Sequence, residues 1–108
     1  MFRTIPESDW KLFKEIHSLL LERYCQRTLE ELDQLRHKDA VASDRYFDIR
    51  ELMKKRDKTL QKIFQDYRRS TAIMQLAAMR NAELLSEAEF GRFSEETQLS
   101  IKHWTGEA

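Results

Sequence analysis

Three histidines and one cysteine are the residues of this 108-residue chain that could bind a metal ion or act as a nucleophile. A zinc site needs several ligands close together, for example two histidines four residues apart on one helix. His17, His37 and His103 are far apart in the sequence, and Asp33 precedes His37 at the spacing of a local helical pair. Cys25 has no histidine three or four residues away to activate its thiol. We therefore expect no metal site, no cofactor and no catalytic residue, and we do not expect an enzyme.

Basic side chains form a second candidate site. Lys54, Lys58 and Lys62 recur every four residues, so a helix would place them one above another on a single face. Together with Arg69 they would form a positive surface able to contact the phosphates of a nucleic acid. Residues 41–69 contain nine Lys and Arg against five Asp and Glu, a net charge of +4, although the whole chain has a net charge of zero. Nucleic-acid binding by this face is therefore the second hypothesis for function.

An apolar row in the same segment is the candidate site that we favour. Tyr46, Ile49, Met53 and Leu60 follow the alternating three- and four-residue spacing of one helix face, and Arg56 fills the remaining position. Such a row is typical of helices that pack against other helices. Arg56 must either extend to solvent or meet a carboxylate, and a carboxylate of the same chain is the more common partner. These five residues predict an interaction face.

Two long helices must position these side chains. The first is predicted over residues 7–37, where apolar residues recur every three or four positions. Thr4 and Glu7 have the spacing of a capping box at its start. The connection that follows is short, which favours an antiparallel hairpin with the next helix.

The second helix is predicted over residues 43–69, and it carries both candidate faces. Residues 57–60 are its least apolar stretch, so the sequence allows a break there. Good N-caps mark two later helices, at Ser86 with Glu89 three residues on, and at Ser94. The predicted bounds of the shorter helices are residues 70–85, 86–92 and 94–104.

Composition indicates one all-α domain. Charged residues make up 35% of the chain and hydrophobic residues 41%, with only two glycines and one proline. This content suits helices and one small core, and it is too apolar for a disordered chain. A lone cysteine excludes an internal disulfide. Because the sequence has no apolar run near 20 residues and no secretory signal, we expect a cytoplasmic protein without a membrane-spanning helix.

Five short motifs are spread over nearly the whole chain. They are Asp9-Trp10-Lys11-Leu12-Phe13, Glu22-Arg23-Tyr24, Tyr46-Phe47, Arg68-Arg69-Ser70 and Phe93-Ser94-Glu95-Glu96. With these motifs the chain resembles a group of small, uncharacterised bacterial helical proteins, some of which are described as multidrug transporters. The resemblance implies an all-helical fold and supplies no catalytic residue. The lack of a membrane-spanning run argues against transport.

The sequence thus predicts a helical bundle built on a long antiparallel hairpin, with shorter C-terminal helices. The favoured function is a non-enzymatic protein–protein interaction module that self-associates or binds another helical protein. Ten of the chain's eleven aromatic residues, those from Trp10 to Trp104 including Tyr46 of the apolar row, are many for so small a bundle and suggest more apolar surface than it can enclose. The alternative function is a nucleic-acid-binding regulator that uses the basic face.

Overall fold

The computed structural model describes residues 5–107, and within that range the chain is all-α. Its elements are α1 (Glu7–Arg36), α2 (Ala42–Phe64), a 3-10 turn (Arg69–Thr71), α3 (Ala72–Asn81), α4 (Glu87–Phe90) and α5 (Glu95–Thr105). The predicted fold class, with a long first helix and shorter C-terminal helices, is confirmed. None of the described helices has the length and apolar character needed to span a membrane.

Helices α1 and α2 form an antiparallel hairpin. The hydroxyl of Tyr24 donates to the backbone carbonyl of Arg56 over 2.9 Å, and Arg45 near the start of α2 donates to the carbonyl of Arg36 at the end of α1 over 2.6 Å. Later residues of α1 therefore meet earlier residues of α2, as the short connection predicts. α1 has 30 residues and a length of about 45 Å. Thr4, half of the predicted capping box, lies outside the described residues, and α1 starts directly after Pro6.

The predicted extent of the second helix is wrong at its C-terminal end. α2 continues without a break through residues 57–60 and ends at Phe64, five residues before the predicted end. Beyond it, the backbone N–H of Arg68 donates to the carbonyl of Asp66, which is a tighter turn than any in an α-helix. The ring of Tyr67 packs against that of His17, with 4.5 Å between their centres. This tertiary contact with α1 outweighs the helical preference of the segment.

The shorter helices begin where their caps predict, but one of them is divided. Ser86 and Glu89 form a complete capping box for α4, and the Ser94 hydroxyl accepts the N–H of Thr97 at the start of α5. The helix predicted over residues 70–85 is instead the 3-10 turn followed by α3, which ends at Asn81. A turn then leads into α4.

The residues that are buried within the described range, 5–107, lie at one end of the molecule. The chain measures 52 × 26 × 23 Å, and no residue from 29 to 62 is buried. We call residues 29–62 the arm and the rest of the described chain the base. The core of the base joins the first part of α1 to the end of α2 and to α3, α4 and α5. Its buried apolar residues are Ile5, Phe13, Ile16, Leu20, Tyr24, Ile63, Phe64, Ala72, Leu76, Ala77, Met79, Leu84, Leu85, Phe90, Phe93 and Ile101.

A buried carboxylate fastens the start of α1 to the start of α5. Asp9 is 3% exposed and accepts the backbone N–H of Ser94 over 3.1 Å and its hydroxyl over 2.6 Å. The hydroxyl of Thr97, itself buried, also donates to Asp9. The positive end of α5 faces this carboxylate, which adds a favourable charge–dipole interaction. Asp9 is thus a structural residue of the base.

Two arginines hold the C-terminal helices in place. Arg23 of α1 forms a bidentate pair with Glu89, with N–O distances of 2.8 and 2.9 Å. These hydrogen bonds lower the pKa of Glu89 to about 2. Arg80 of α3 lies over the ring of Phe90 and forms a bidentate pair with Glu107, just beyond α5. Such forked pairs fix geometry as well as adding energy.

The turn after α3 contains a strained residue. Glu83 has a φ of 58°, a left-handed conformation that side chains with a β-carbon seldom adopt. The N–H of Leu84 donates to the carbonyl of Met79 and the N–H of Glu83 to that of Arg80, which is the Schellman pattern normally completed by glycine. The turn therefore keeps this geometry at a cost in folding free energy.

Replacing Glu83 with glycine should raise the free energy of unfolding by about 0.5–1 kcal/mol, because it removes this strain at a small cost in chain entropy. The carbonyl of residue 83 still accepts its hydrogen bond from Arg27. Urea unfolding followed by circular dichroism measures the change. Glu83→Ala is the control: it removes the same carboxylate but keeps the β-carbon, so it should give no such gain. Equal gains from both variants would contradict the explanation.

Candidate interaction surface

Half-buried apolar residues and ion pairs hold the two helices of the arm together. Leu32 and Leu35 of α1 and Ile49 and Leu52 of α2 are all half-buried. Arg56, the charged member of the predicted interaction face, pairs with Glu31 of α1. The expected carboxylate partner is therefore within the same chain. Two helices alone leave the remaining sides of this seam open to solvent.

A groove lies between α1 and α2 where one side of the arm meets the base. It has a volume of about 170 Å³. Its walls are Tyr24, Cys25, Thr28 and Leu29 from α1 and Met53, Arg56, Asp57 and Leu60 from α2. Burial raises the pKa of Tyr24, whose phenol donates a hydrogen bond to the Arg56 carbonyl. The groove is a mainly apolar depression.

The structure divides the predicted interaction face. Met53, Arg56 and Leu60 line the groove, Ile49 is half-buried in the seam, and Tyr46 is 64% exposed near the end of the arm. The five residues therefore follow one another along α2, but only three of them line the groove, and α1 forms its other wall.

Sequence reasoning missed the contribution of Cys25 and Leu29. Both lie on α1 and line the groove, although neither is in the predicted face. A signal was available, since Leu29, Leu32 and Leu35 continue the apolar row of the first helix. The spacing alone does not say which of these leucines faces α2. Leu29 turns out to be 57% exposed, on the open side of the groove.

Four large apolar side chains of the arm are more than half exposed. They are Leu29, Val41, Tyr46 and Phe47, with exposed fractions of 57%, 64%, 64% and 54%. The rings of Tyr46 and Phe47 contact each other edge to face, with 5.6 Å between their centres. Single exposed apolar residues are ordinary, whereas a group on a protruding element is typical of an interaction site.

Charged side chains are concentrated on the side of the arm opposite the groove. There Lys38 pairs with Asp48, and Glu51 and Lys55 line a shallow depression with Leu35, Leu52 and Arg56. Closer to the base, Arg27 reaches across to the carbonyl of Glu83. This side is therefore polar and partly covered by the turn after α3.

The predicted basic face loses one of its four members. Lys54, Lys58 and Lys62 are exposed on α2, and the salt bridges that α2 forms within residues 5–107 involve Asp48 and Arg56 rather than these lysines. Arg69 lies beyond the end of α2, where it pairs with Glu7 and donates to the carbonyl of Ile5. Because α2 ends at Phe64, Arg69 cannot extend the face.

The histidines and the cysteine, which could bind a metal ion or act as a nucleophile, do not come together in one site. The described residues include no group of three or more histidine, cysteine or acidic side chains able to hold a metal ion. Cys25 is an exposed free thiol, and His37 lies 3.5 Å from Asp33. His17 is surrounded by the rings of Phe13, Phe64 and Tyr67, and burial lowers its pKa. Its position is that of a packing residue.

Comparison of the chain with protein families, curated proteins and solved structures finds no match. The resemblance to uncharacterised bacterial helical proteins stays a prediction. The function must be argued from the molecule itself.

Proposed function

We propose that this protein is a non-enzymatic helical interaction module and that its arm is the binding element. In this proposal the core of the base stabilises the fold, and the arm provides the surface that binds the partner. Self-association is the simplest form of the activity, and another helical protein is the other partner we consider.

One observation carries the proposal: no residue from 29 to 62 is buried, although the arm has a heptad row and four large apolar side chains that are more than half exposed. A helix with an apolar face ordinarily buries that face against a neighbour. In the arm each long helix has only one neighbour, so much of this apolar area stays in contact with water. Binding a partner would remove it.

Light scattering after size-exclusion chromatography, at low and high salt, tests self-association. We expect the mass of wild-type protein to rise with loading concentration towards twice the monomer mass, equally at both salt concentrations, because apolar burial is not screened by salt. Met53→Glu should shift it to the monomer mass, since a carboxylate would be buried in the interface without a partner.

Leu99→Glu is the matched control. Leu99 is 69% exposed on α5, outside the arm, so its replacement should leave the mass unchanged. A wild-type monomer at all concentrations would contradict self-association. A dimer that survives Met53→Glu would show that the row on α2 is not its contact.

Nucleic-acid binding remains the second candidate function, and one observation favours it: Lys54, Lys58 and Lys62 are exposed together on α2 without an ion-pair partner in the described chain. Three such charges are a small footprint, and binding through them should weaken steeply with salt. The double variant Lys58→Glu and Lys62→Glu separates the two functions. It should abolish binding to a fluorescent DNA duplex if that binding occurs, and it should leave self-association intact.

A further inference from the structure

We propose that a second copy of this chain docks on the groove, so that two arms pair groove side to groove side and form a four-helix bundle. This inference rests on the proposed self-association and specifies its surface. The arm has four open sides, namely the groove side, the opposite side and the outer faces of α1 and α2. Their chemistry distinguishes them.

Desolvation favours the groove side. Its walls contain two charged residues, and one of them, Arg56, is already paired with Glu31 of the same arm. Burial of the opposite side would desolvate the pair formed by Lys38 and Asp48 together with Glu51 and Lys55. A symmetric contact through an outer face would bring like charges together, the lysines of α2 or Glu30 and Asp33 of α1. Desolvating charges costs several kcal/mol per ion unless new partners compensate.

The groove side is also self-complementary, which a symmetric dimer requires. In a twofold contact the same patch must supply both the depression and the side chains that fill it. The depression is the groove itself, and Leu29 at its edge and Tyr46 further along α2 are more than half exposed. Each copy can thus receive an apolar side chain from the other and offer one in return.

The area of this side is sufficient for a dimer of moderate affinity. On the groove side, Leu60 lies 16 residues after Asp44 in α2, a helical distance of about 24 Å, and two packed helices are about 20 Å wide. Two such faces cover about 1,000 Å² in total, which is near the lower limit for a specific interface. We therefore expect a dissociation constant in the micromolar range, with dimer and monomer both populated at accessible concentrations.

A second arm also matches the shape of the open side. Four-helix bundles are completed by antiparallel helices of similar length that pack around a shared apolar core. One arm supplies two such helices with an incomplete core, because none of its residues is buried. A second arm supplies the other two, with the same length and the same row of apolar residues.

Cys25 provides a test because its exposed thiol is in the groove wall and is the only thiol in the sequence. We would attach a bulky maleimide to it and measure dimerisation by sedimentation equilibrium. The label should weaken dimerisation at least tenfold, since it occupies the proposed interface. In the control, the double variant Cys25→Ser and Lys58→Cys carries the same label on the outer face of α2, and its dimerisation should change less than twofold.

The outcomes separate this inference from the proposed function. A dimer that tolerates the label on residue 25 but not on residue 58 would place the contact on the outer face and overturn the inference, while self-association would stand. A monomer in every sample would overturn both. Leu29→Glu gives an independent measurement without a label, and it should dissociate the dimer while circular dichroism confirms that the fold is retained. A dimer that survives Leu29→Glu would overturn the groove contact.

Discussion

Replacing Asp9 with alanine should lower the free energy of unfolding by about 3–5 kcal/mol, the largest effect that we expect from a single polar substitution. The change leaves the hydroxyl of Thr97 without its acceptor in a buried position, and it also removes the acceptor of the Ser94 hydroxyl and N–H. Each buried donor that loses its acceptor costs about 1–3 kcal/mol. Urea unfolding monitored by circular dichroism measures the loss.

Two further variants make this prediction specific. Asp9→Asn keeps the size and one carbonyl oxygen, so it should cost less than alanine but still more than 1 kcal/mol. Asp39→Ala removes a carboxylate from the exposed connection between α1 and α2 and should change stability by less than about 0.5 kcal/mol. If Asp9→Ala and Asp39→Ala lowered the free energy of unfolding by similar amounts, the buried carboxylate would not stabilise the contact between α1 and α5.

Acid should weaken the fold through Glu89, and Glu89→Gln should remove part of that dependence. The hydrogen bonds from Arg23 lower the pKa of Glu89 from 4.5 to about 2 in the folded chain. The unfolded chain therefore binds a proton more readily in this interval. The stabilisation by Glu89 is complete above pH 4.5 and is lost as the pH falls towards 2. At pH 7 the variant should cost about 2 kcal/mol, because hydrogen bonds to charged groups are lost.

Unfolding measured from pH 2.5 to pH 7 tests the Glu89 prediction. Stability of Glu89→Gln should fall less steeply below pH 4.5 than that of wild type. Glu87→Gln is a matched control, since Glu87 is in the same short helix and pairs with Arg80 over 2.9 Å, but its side chain is 82% exposed, and such a pair adds little stability. It should change neither the stability at pH 7 nor the acid slope by much. Parallel slopes for wild type and Glu89→Gln would show that another carboxylate controls the acid response.

Local signals predicted most of the helices, and long-range contacts decided the rest. Ser86 and Ser94 act on groups within three residues, so their capping roles follow from sequence. The end of α2 does not, because it depends on Tyr67 packing against His17, 50 positions earlier. Nothing in the spacing of Lys58, Lys62 and Arg69 reveals that interruption. The spacing therefore predicts Arg69 on a helix face from which it is absent.

Only one wall of the groove could be predicted from sequence, because the other depends on long-range contacts. Periodicity assigned Met53, Arg56 and Leu60 to one face of one helix, which the structure places at the groove. The groove lies between two helices, and its other wall depends on the rotation of α1 about its own axis. The packing of α1 on the base fixes that rotation, through buried residues that include Asp9 and Tyr24. A single-helix pattern does not contain this information.

The division of the molecule into arm and base has a consequence for the order of folding. Contacts across the hairpin near its connection join residues close in sequence, such as Lys38 and Asp48, whereas Asp9 reaches residues 85 and 88 positions away. Contacts of short sequence separation form early at little entropic cost, and those of long separation form late. The fastening at Asp9 should therefore be absent from the folding transition state. Loss of these hydrogen bonds in Asp9→Ala should then raise the unfolding rate and leave the folding rate nearly unchanged.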